Sequence, residues 1–327
     1  MGAPRGRREF LGLAGAAALL SVACSRDPSE KARGTGPVTL SHTFGETTVP
    51  APPARVVSAG LTEGDDLLAV GVVPVALTGW FGNPPAGVWP WGRDELGAAT
   101  PTVLTLDDGI DVDAIAALKP DLIVAVNAGL DADTYAKLSA VAPTLAQSGA
   151  DAFFEPWKEQ AGAIGRAVFR SDAMTRAVDA VEKRFSALAQ ANPPFAGATV
   201  ALLDGGFTGD TVTATVGGWR TEFLTAMGFA VPGSLAALGG EGHLAEISRD
   251  DLASALDSSD VVIWQTRTEE QRTALLADPA VAALRSTTAE RAVFTPTDLA
   301  AALAFASPLS YPVVADQLPP LLLRALG

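Results

Sequence analysis

The sequence predicts an α/β protein of two lobes, each built on a mainly parallel sheet, with one long α-helix joining them. The 327 residues are too many for one typical core and suit two lobes. A strand–helix–strand pattern restarts after Pro194, beyond a long helical segment without breakers. A hydrophobic content of 48% with 18% charged residues is typical of a globular chain.

The predicted connecting helix covers residues 171–192. Ser171 and Asp172 are suitable N-cap residues, and no Gly or Pro interrupts the helix before Pro193. At 1.5 Å per residue it would extend roughly 30 Å, the width of a small domain. Its apolar residues follow a 4-3-4-3 spacing, which places them on one helix face: Met174, Val178, Val181, Phe185 and Leu188.

The N-terminus reads as an export signal over residues 1–23. Arg7-Arg8 precedes an apolar run, from Phe10 to Ala23, that is too short to span a membrane as a helix. The arginine pair resembles a twin-arginine signal, and residues 20–24 resemble a lipobox, although Ser21 replaces its usual aliphatic residue. We therefore expect Cys24, the only cysteine, to be lipidated and residues 24–37 to form an anchored, flexible linker.

The N-terminal lobe is predicted over residues 38–170. It begins with a hairpin around Gly45, and an irregular, Trp-rich loop covers residues 80–96. The alternation of apolar runs and helical periods predicts strands at 54–58, 72–78 and 121–126 and helices at 63–69, 112–118, 134–141 and 158–169.

The C-terminal lobe is predicted over residues 193–327. Its segment 247–264 resembles 110–125, since both have an acidic helix start and then an Asp directly before a strand, which favours two lobes of similar design. A Gly/Thr-rich, hairpin-like segment covers 205–218. Predicted strands lie at 199–203, 261–264 and 292–295, and predicted helices at 221–227, 250–256, 269–276, 279–286 and from 313 onward.

Charge and motifs exclude several function classes. A net charge of −14 argues against nucleic-acid binding, which requires a basic surface. The sequence has no nucleotide-binding glycine loop, no nucleophile elbow and no zinc-protease motif, so we expect no enzyme. His42 and His243 are the only histidines, and Tyr135 and Tyr311 the only tyrosines, too few for a direct ferric iron cage.

Two segments carry a family resemblance. PPARVVSAGLTEGDDLLAVGVVPVAL (residues 52–77) and ALKPDLIVA (residues 117–125), with the export leader and Cys24, resemble the siderophore-, haem- and cobalamin-binding lipoproteins of ABC importers. The actinobacterial iron-siderophore-binding members are the most similar. The resemblance implies two Rossmann-like lobes joined by one helix, with a ligand cleft between them. It also implies a monomer on the outer face of the cytoplasmic membrane that delivers ferric siderophore to a permease, with no intrinsic cofactor.

A ferric siderophore has apolar faces and often a negative charge, so its pocket needs aromatic walls and Arg donors. Ligands of parallel sheets bind beyond the carboxyl ends of the strands. The candidate ligand-binding residues in such positions are Trp80, Phe81, Trp89, Trp91, Arg93, Phe153, Phe154, Trp219, Arg220, Trp264, Arg267 and Tyr311.

The resemblance further implies acidic residues on each lobe that dock on the permease. Asp131 or Asp133 in the first lobe and Asp250 in the second are the candidates, with Asp in place of the family's usual Glu. Haem is the alternative ligand, with His243 or Tyr311 as the axial residue. A cell-envelope lipoprotein without a transport role is a further alternative.

Overall fold

The computed structural model describes residues 1–2 and 36–327 of the chain. The predicted export signal, the lipidated Cys24 and the linker up to residue 35 lie outside the described residues. The fold below is that of Gly36–Gly327, one compact unit.

The first lobe is built on a five-stranded, wholly parallel sheet with the order β5-β4-β3-β6-β7. A separate antiparallel hairpin, β1–β2, precedes it as predicted, but it turns at Thr43 and Phe44, and Gly45 is the first residue of the second strand, paired with His42. Val57, Ile123 and Val124 are fully buried, because helices cover both faces of the sheet. The strands are β1 Val38–His42, β2 Gly45–Val49, β3 Val56–Ser58, β4 Ala76–Thr78, β5 Thr102–Leu104, β6 Leu122–Ala125 and β7 Thr144–Ala146.

The helices of the first lobe connect its parallel strands. The helix predicted at residues 63–69 is confirmed at both ends. Asp131 caps α4, because its side chain accepts a hydrogen bond from the backbone N–H of Thr134. The Trp-rich loop contains two single-turn 3₁₀ segments, Pro85–Gly87 and Pro90–Gly92. The helices are α1 Glu63–Ala69, α2 Arg93–Leu96, α3 Val112–Ala117, α4 Ala132–Ser139 and α5 Trp157–Ala167.

The second lobe is built on another five-stranded sheet, with the order β10-β9-β8-β11-β12. Here β9 is antiparallel to both β8 and β10, so the other four strands all point the same way. The segments that resemble one another in sequence end in β6 and β11, which occupy the same place beside the central strand of their sheets. The strands are β8 Val200–Asp204, β9 Thr211–Thr215, β10 Leu244–Ser248, β11 Val261–Gln265 and β12 Ala292–Phe294.

The long helix α6, Ser171–Ala191, joins the two sheets along the chain. Arg170 is its N-cap and no side chain caps it, so the prediction that Ser171 or Asp172 is the cap is wrong by one residue. Met174 packs in a first-lobe core and Phe185 in a second-lobe core, while Val178 contacts both. The remaining helices are α7 Glu222–Ala226, α8 Gly233–Ala236, α9 Leu252–Leu256, α10 Glu269–Ala277, α11 Pro279–Ala283, α12 Arg285–Thr288, α13 Thr297–Phe305 and α14 Tyr311–Leu326.

Three predictions of local structure are wrong in part. Only Ala76–Thr78 of the predicted strand 72–78 is extended in the sheet. The Gly/Thr-rich segment 205–218 is not a hairpin of its own, because its strand β9 pairs with β8 and β10. The predicted helix 279–286 breaks at Leu284, whose backbone (φ −57°, ψ 141°) is extended. Among the described residues, no helix has the length and apolar character needed to span a membrane.

The contact between α5 and α6 depends on a glycine. A Cβ atom added at Gly165 would lie 2.7 Å from Cβ of Met174, whereas one added at Gly162, on the same helix, would meet no atom within 4 Å. We expect Gly165→Ala to lower the free energy of unfolding by about 1–3 kcal/mol through overpacking.

The matched variant Gly162→Ala should raise the free energy of unfolding by up to about 1 kcal/mol, because alanine favours the helix. Urea unfolding measures both variants. Equal effects of the two substitutions would contradict the close helix contact.

Candidate functional site

Loops at the carboxyl ends of both sheets meet at one place. The loop after β4 carries the aromatic residues between Trp80 and Trp91. On the second sheet, Asp204 ends β8 and Arg267 follows β11. Helix α13 adds Phe305, which packs with Trp89 and with the neighbouring rings of the first-lobe loop. The site therefore has walls from both lobes, at the position expected for ligands of parallel sheets.

Six aromatic side chains form what we call the ring cluster: Trp80, Phe81, Trp89, Trp91, Phe154 and Phe305. Trp89 and Trp91 stack with their centroids 5.3 Å apart and an angle of 2° between the rings. The centroid of Phe305 lies 5.5 Å from that of Trp80 and 5.7 Å from that of Trp91. Phe305 thus joins the aromatic surface of the second lobe to that of the first.

Two arginines of the second lobe lie against these rings. The guanidinium carbon of Arg267 is 5.7 Å from the centroid of Trp80 and 5.1 Å from that of Phe81. That of Arg220 is 5.3 Å from Phe154 and 4.4 Å from Trp219. These distances are in the range of cation–π attraction, so both cations are held at the aromatic wall of the other lobe.

Two carboxylates balance the arginines. Asp204 interacts electrostatically with both Arg267 and Arg220, and Asp151 acts on Arg220. Burial lowers the pKa of Arg220, although these carboxylates oppose the shift. Each of the two arginines at the rings therefore has at least one carboxylate that offsets part of its charge.

Phe154 has a strained backbone, and a hydrogen bond to Asn127 holds its amide. Its φ of 61° lies in the left-handed region, which is uncommon for an aromatic residue. Its amide donates to Oδ1 of Asn127 at 2.9 Å. Asn127 in turn donates its amide N–H to Glu63 at 2.7 Å and its side-chain NH₂ to Thr62 at 2.9 Å. The position of Phe154 thus depends on the first residues of α1.

Helix α1 buries three acidic side chains, Glu63, Asp65 and Asp66, which we call the carboxyl cluster. Burial raises the pKa of Glu63 to about 7 and that of Asp65 to about 6. Burial also raises the pKa of Asp66 well above its usual range, with a contribution from the neighbouring acids. Their partners are neutral: Gln160 donates to Asp66 at 2.7 Å, and Trp91 and Ser307 donate to Asp65.

Four of the predicted ligand-binding residues are placed differently. Trp264 is 0% exposed and stacks on Phe294 inside the second-lobe core, and Tyr311 is 2% exposed in the other core cluster of that lobe. The prediction that these two residues line the cleft is therefore wrong, because packing covers them. Phe153 is 43% exposed beside Phe154, and Arg93 is exposed on α2 outside the described ring contacts.

Sequence reasoning missed four residues of the site: Phe305, Asp204, Asp151 and Asp65. Phe305 lies in an alanine-rich helix, α13, that was not predicted. Asp204 ends a strand whose prediction stopped one residue earlier, at Leu203. Asp65 lies in a predicted helix, and the three acids of the segment EGDD, directly before Leu67 and Leu68, were the available signal.

The residues considered for haem or bare iron lie apart. His243 is exposed, and its ring packs against Gly217 and Gly218, ahead of Trp219. Tyr135 contacts His42 and Phe44 near the N-terminal hairpin, away from Tyr311 in the second-lobe core. Within residues 36–327, no group of three or more His, Cys, Asp or Glu side chains could hold a metal ion.

The predicted docking acids are exposed near the same edge as the cleft. Asp131 and Asp133 lie at the start of α4, after the carboxyl end of β6. Asp250 follows β10, which is parallel to β8 because both pair antiparallel with β9. Hydrogen bonds from Thr134 lower the pKa of Asp131, so this acid has a structural role as a helix cap.

Two cavities lie beside the site. One of about 10 Å³ lies under Phe154, Trp219 and Phe305. Another, of about 220 Å³, lies between α5, α6, α7 and α14, and Lys158 forms ion pairs with Glu182 and Glu222 at its edge. Trp157 lines both cavities.

Comparisons with known proteins agree on one family. Residues 56–299 match the family described as "Periplasmic binding protein". A periplasmic solute binding protein from Mycobacterium smegmatis is 58% identical, with a TM-score of 0.84 over 89% of this chain and 99% of that chain. Streptococcus pneumoniae PiaA, solved in complex with ferrichrome, shares the fold at 24% identity, with a TM-score of 0.72 over 88% of this chain and 98% of that one.

Curated relatives are more distant. The probable siderophore-binding lipoprotein YfiY of Bacillus subtilis is 31% identical over 152 residues, which is 46% of this chain. The chain spans 44% of the length of that relative and 64% of the length of a second, a putative ABC transporter substrate-binding lipoprotein of the same organism.

The carboxyl cluster predicts how stability varies with pH. The pKa values of Glu63 and Asp65 are raised from 4.5 and 3.8 to about 7 and 6, so between about pH 4 and 7 the folded protein binds protons that the unfolded chain releases. The free energy of unfolding should therefore fall as pH rises through this range. Urea unfolding near pH 5 and near pH 7.5 measures the difference.

Asp66→Asn should reduce this pH dependence and stabilise the protein near pH 7.5, because it removes one buried acid with a raised pKa. Asp179→Asn, an exposed substitution on α6, is the matched control and should leave the pH dependence unchanged. Lowered pKa values act in the opposite sense: that of His42, which burial lowers, below about pH 6.5, and those of Asp260 and Asp278 below about pH 4. The one opposing group in the tested range stands against the three acids of the carboxyl cluster. Stability that rises from pH 5 to 7.5 would contradict the assignment.

Proposed function

The chain belongs to the periplasmic binding protein family, and we propose that it is the substrate-binding lipoprotein of an ABC importer that captures a ferric siderophore outside the membrane. It then delivers the chelate to a permease and carries out no chemistry on it. The observation that carries the proposal is the meeting of the ring cluster with Arg220 and Arg267 at the carboxyl ends of both sheets. The names of the relatives from Bacillus subtilis and Streptococcus pneumoniae support the same ligand class.

The walls suit a chelate that has apolar faces and polar oxygens. Aromatic rings offer large, rigid contact areas, while arginine donates to the oxygens that surround the iron. The residues that we assign to ligand contact are Trp80, Phe81, Trp89, Trp91, Phe154, Trp219, Arg220, Arg267 and Phe305, with Arg93 and Phe153 at the rim.

The charge balance favours a chelate of low net charge. Arg220 and Arg267 are opposed by Asp151 and Asp204, so a strongly anionic ligand would meet as many carboxylates as guanidinium groups. In a trihydroxamate chelate the ligand charges neutralise ferric iron, whereas a tris-catecholate chelate remains anionic. We therefore assign the site to the trihydroxamate class.

We assign the lobes to residues 38–170 and 193–327, with 171–192 as the connecting helix. Residues 1–23 would be removed on export, and lipid on Cys24 would hold the monomeric protein at the outer face of the cytoplasmic membrane through the linker 24–37. The permease would contact the edge that bears Asp133 and Asp250, with Asp131 beside it.

Ligand titration followed by tryptophan fluorescence tests the ligand class. We expect ferrichrome to quench the fluorescence, because four of the six tryptophans lie at the site, and to bind more tightly than a ferric tris-catecholate. Arg220→Ala and Arg267→Ala should each weaken ferrichrome binding by about tenfold or more, since each removes a cation held at the rings.

Two control variants accompany this titration. Arg272→Ala, on exposed α10, should bind as the unaltered protein does, and Trp264→Phe should retain the quenching because Trp264 is inside the core. If no ferric siderophore changes the fluorescence but added haem shows a shifted Soret band, the protein binds haem and the haem alternative is correct. No response to either ligand class would refute both.

Charge reversal tests the docking edge separately. We expect Asp133→Lys and Asp250→Lys to leave ferrichrome affinity unchanged and to reduce siderophore uptake by cells, because the substitutions oppose basic permease residues. Asp172→Lys, on the exposed face of α6, is the control. Unchanged uptake in the Asp133/Asp250 double variant would contradict docking at this edge.

A further inference from the structure

One oxygen of Asp65 connects the two lobes. Its Oδ2 accepts a hydrogen bond from Nε1 of Trp91 at 2.8 Å and another from Oγ of Ser307 at 2.6 Å. Trp91 belongs to the aromatic loop of the first lobe, whereas Ser307 follows α13 of the second lobe. Asp65 is 4% exposed, so water does not replace either bond easily.

Both donors are adjacent to the ring cluster. Trp91 stacks on Trp89, and its ring centroid is 5.7 Å from that of Phe305. Ser307 lies two residues beyond Phe305, after Ala306, whose φ of 47° turns the chain out of α13. Oγ of Ser307 also accepts the amides of Leu309 and Ser310, so the turn that carries Phe305 is rigid. A shift at Asp65 would therefore move the rings of both walls relative to each other.

The geometry requires an acceptor oxygen at Asp65 and does not require its charge. Both donors converge on Oδ2, so a proton on Oδ1 leaves both hydrogen bonds in place. The ionised groups that act on Asp65 and its neighbour Asp66 are acids: Glu95 of α2 and Glu63 of α1. No described ion pair joins Asp65 to a basic side chain, so the carboxylate has no structural role as a counterion.

We propose that Asp65 is a positioning residue of the cleft, which holds Trp91 and Ser307 on one oxygen and so fixes the two aromatic walls in register. The effect on ligand affinity rests on the proposed function, whereas the effect on the interlobe contact does not. Asp65 contacts no ligand in this scheme and acts through the rings that it places.

The test compares three variants by ferrichrome titration and by hydrogen exchange of the free protein. Asp65→Asn keeps an acceptor oxygen and should bind within about threefold of the unaltered protein. Asp65→Leu removes the acceptor and should weaken binding by about tenfold, with faster amide exchange in residues 307–311. Ser307→Ala should cause a smaller loss of affinity and a smaller rise in exchange, because Trp91 still donates its hydrogen bond to Asp65.

A double-mutant cycle separates positioning from general loss of stability. The loss of affinity in the double variant Asp65→Leu/Ser307→Ala should be smaller than the sum of the two single losses, because both substitutions remove the same hydrogen bond between the lobes. Leu138→Ala, in a first-lobe core away from the rings, lowers stability and should leave affinity and the exchange of residues 307–311 unchanged. If Asp65→Leu does not fold, Ser307→Ala and Asp65→Asn provide the same comparison.

Unchanged exchange and affinity in Asp65→Leu, or a loss in Asp65→Asn equal to that in Asp65→Leu, would overturn the proposal. Failure of the unaltered protein to bind any siderophore would refute the proposed function. The exchange measurement needs no ligand, and it would still decide whether Asp65 holds the two walls together.

Discussion

The arrangement of this protein depends on one apolar face of one helix that belongs to two cores. Met174 is part of a first-lobe core, Phe185 is part of a second-lobe core, and Val178 contacts both. Each added or removed residue would rotate the rest of α6 by about 100°, which would turn the downstream apolar side chains away from their core. The spacing of these residues therefore fixes the orientation of the second sheet relative to the first, and with it the distance between the walls of the cleft.

The seven-residue helix α1 holds several residues of the site through hydrogen bonds. Glu63 holds Asn127, which holds Phe154, while Asp65 holds Trp91 and the turn after α13. Three buried acids with raised pKa values are unfavourable for folding at neutral pH. Such an arrangement is expected where the placement of a binding surface constrains the sequence more strongly than stability does.

Much of the fold could be predicted from the sequence, because long periodic segments and glycine or proline breaks are local signals. The helix at 63–69 and the connecting helix are confirmed for this reason. The strands β5 and β7 were not predicted, although β3, β4 and β12 are equally short and were found from the longer segments that contain them. The helix α13 was missed because it is apolar on nearly every side, which hides its helical period.

The site was harder to predict, since its members meet only in the folded chain. The breakers around Trp80 and Trp91 correctly indicated a loop at the sheet edge, and the structure brings both rings together with Phe305, which no local signal distinguished. The error at Trp264 has the same origin, because the end of a strand can face either the cleft or the core.

The self-contact of the ring cluster affects how the protein behaves in solution. Trp80 and Trp89 both contact Phe81 and Phe305, and the guanidinium group of Arg267 lies against Trp80 and Phe81. Large bare aromatic patches promote aggregation of soluble proteins, and here the rings shield each other from neighbouring molecules. Under the proposed function, a ligand that separates these rings would bind with an affinity set by the difference between the ring contacts that it gains and those that are lost. A weakly complementary molecule would then not compensate for the ring contacts that are lost.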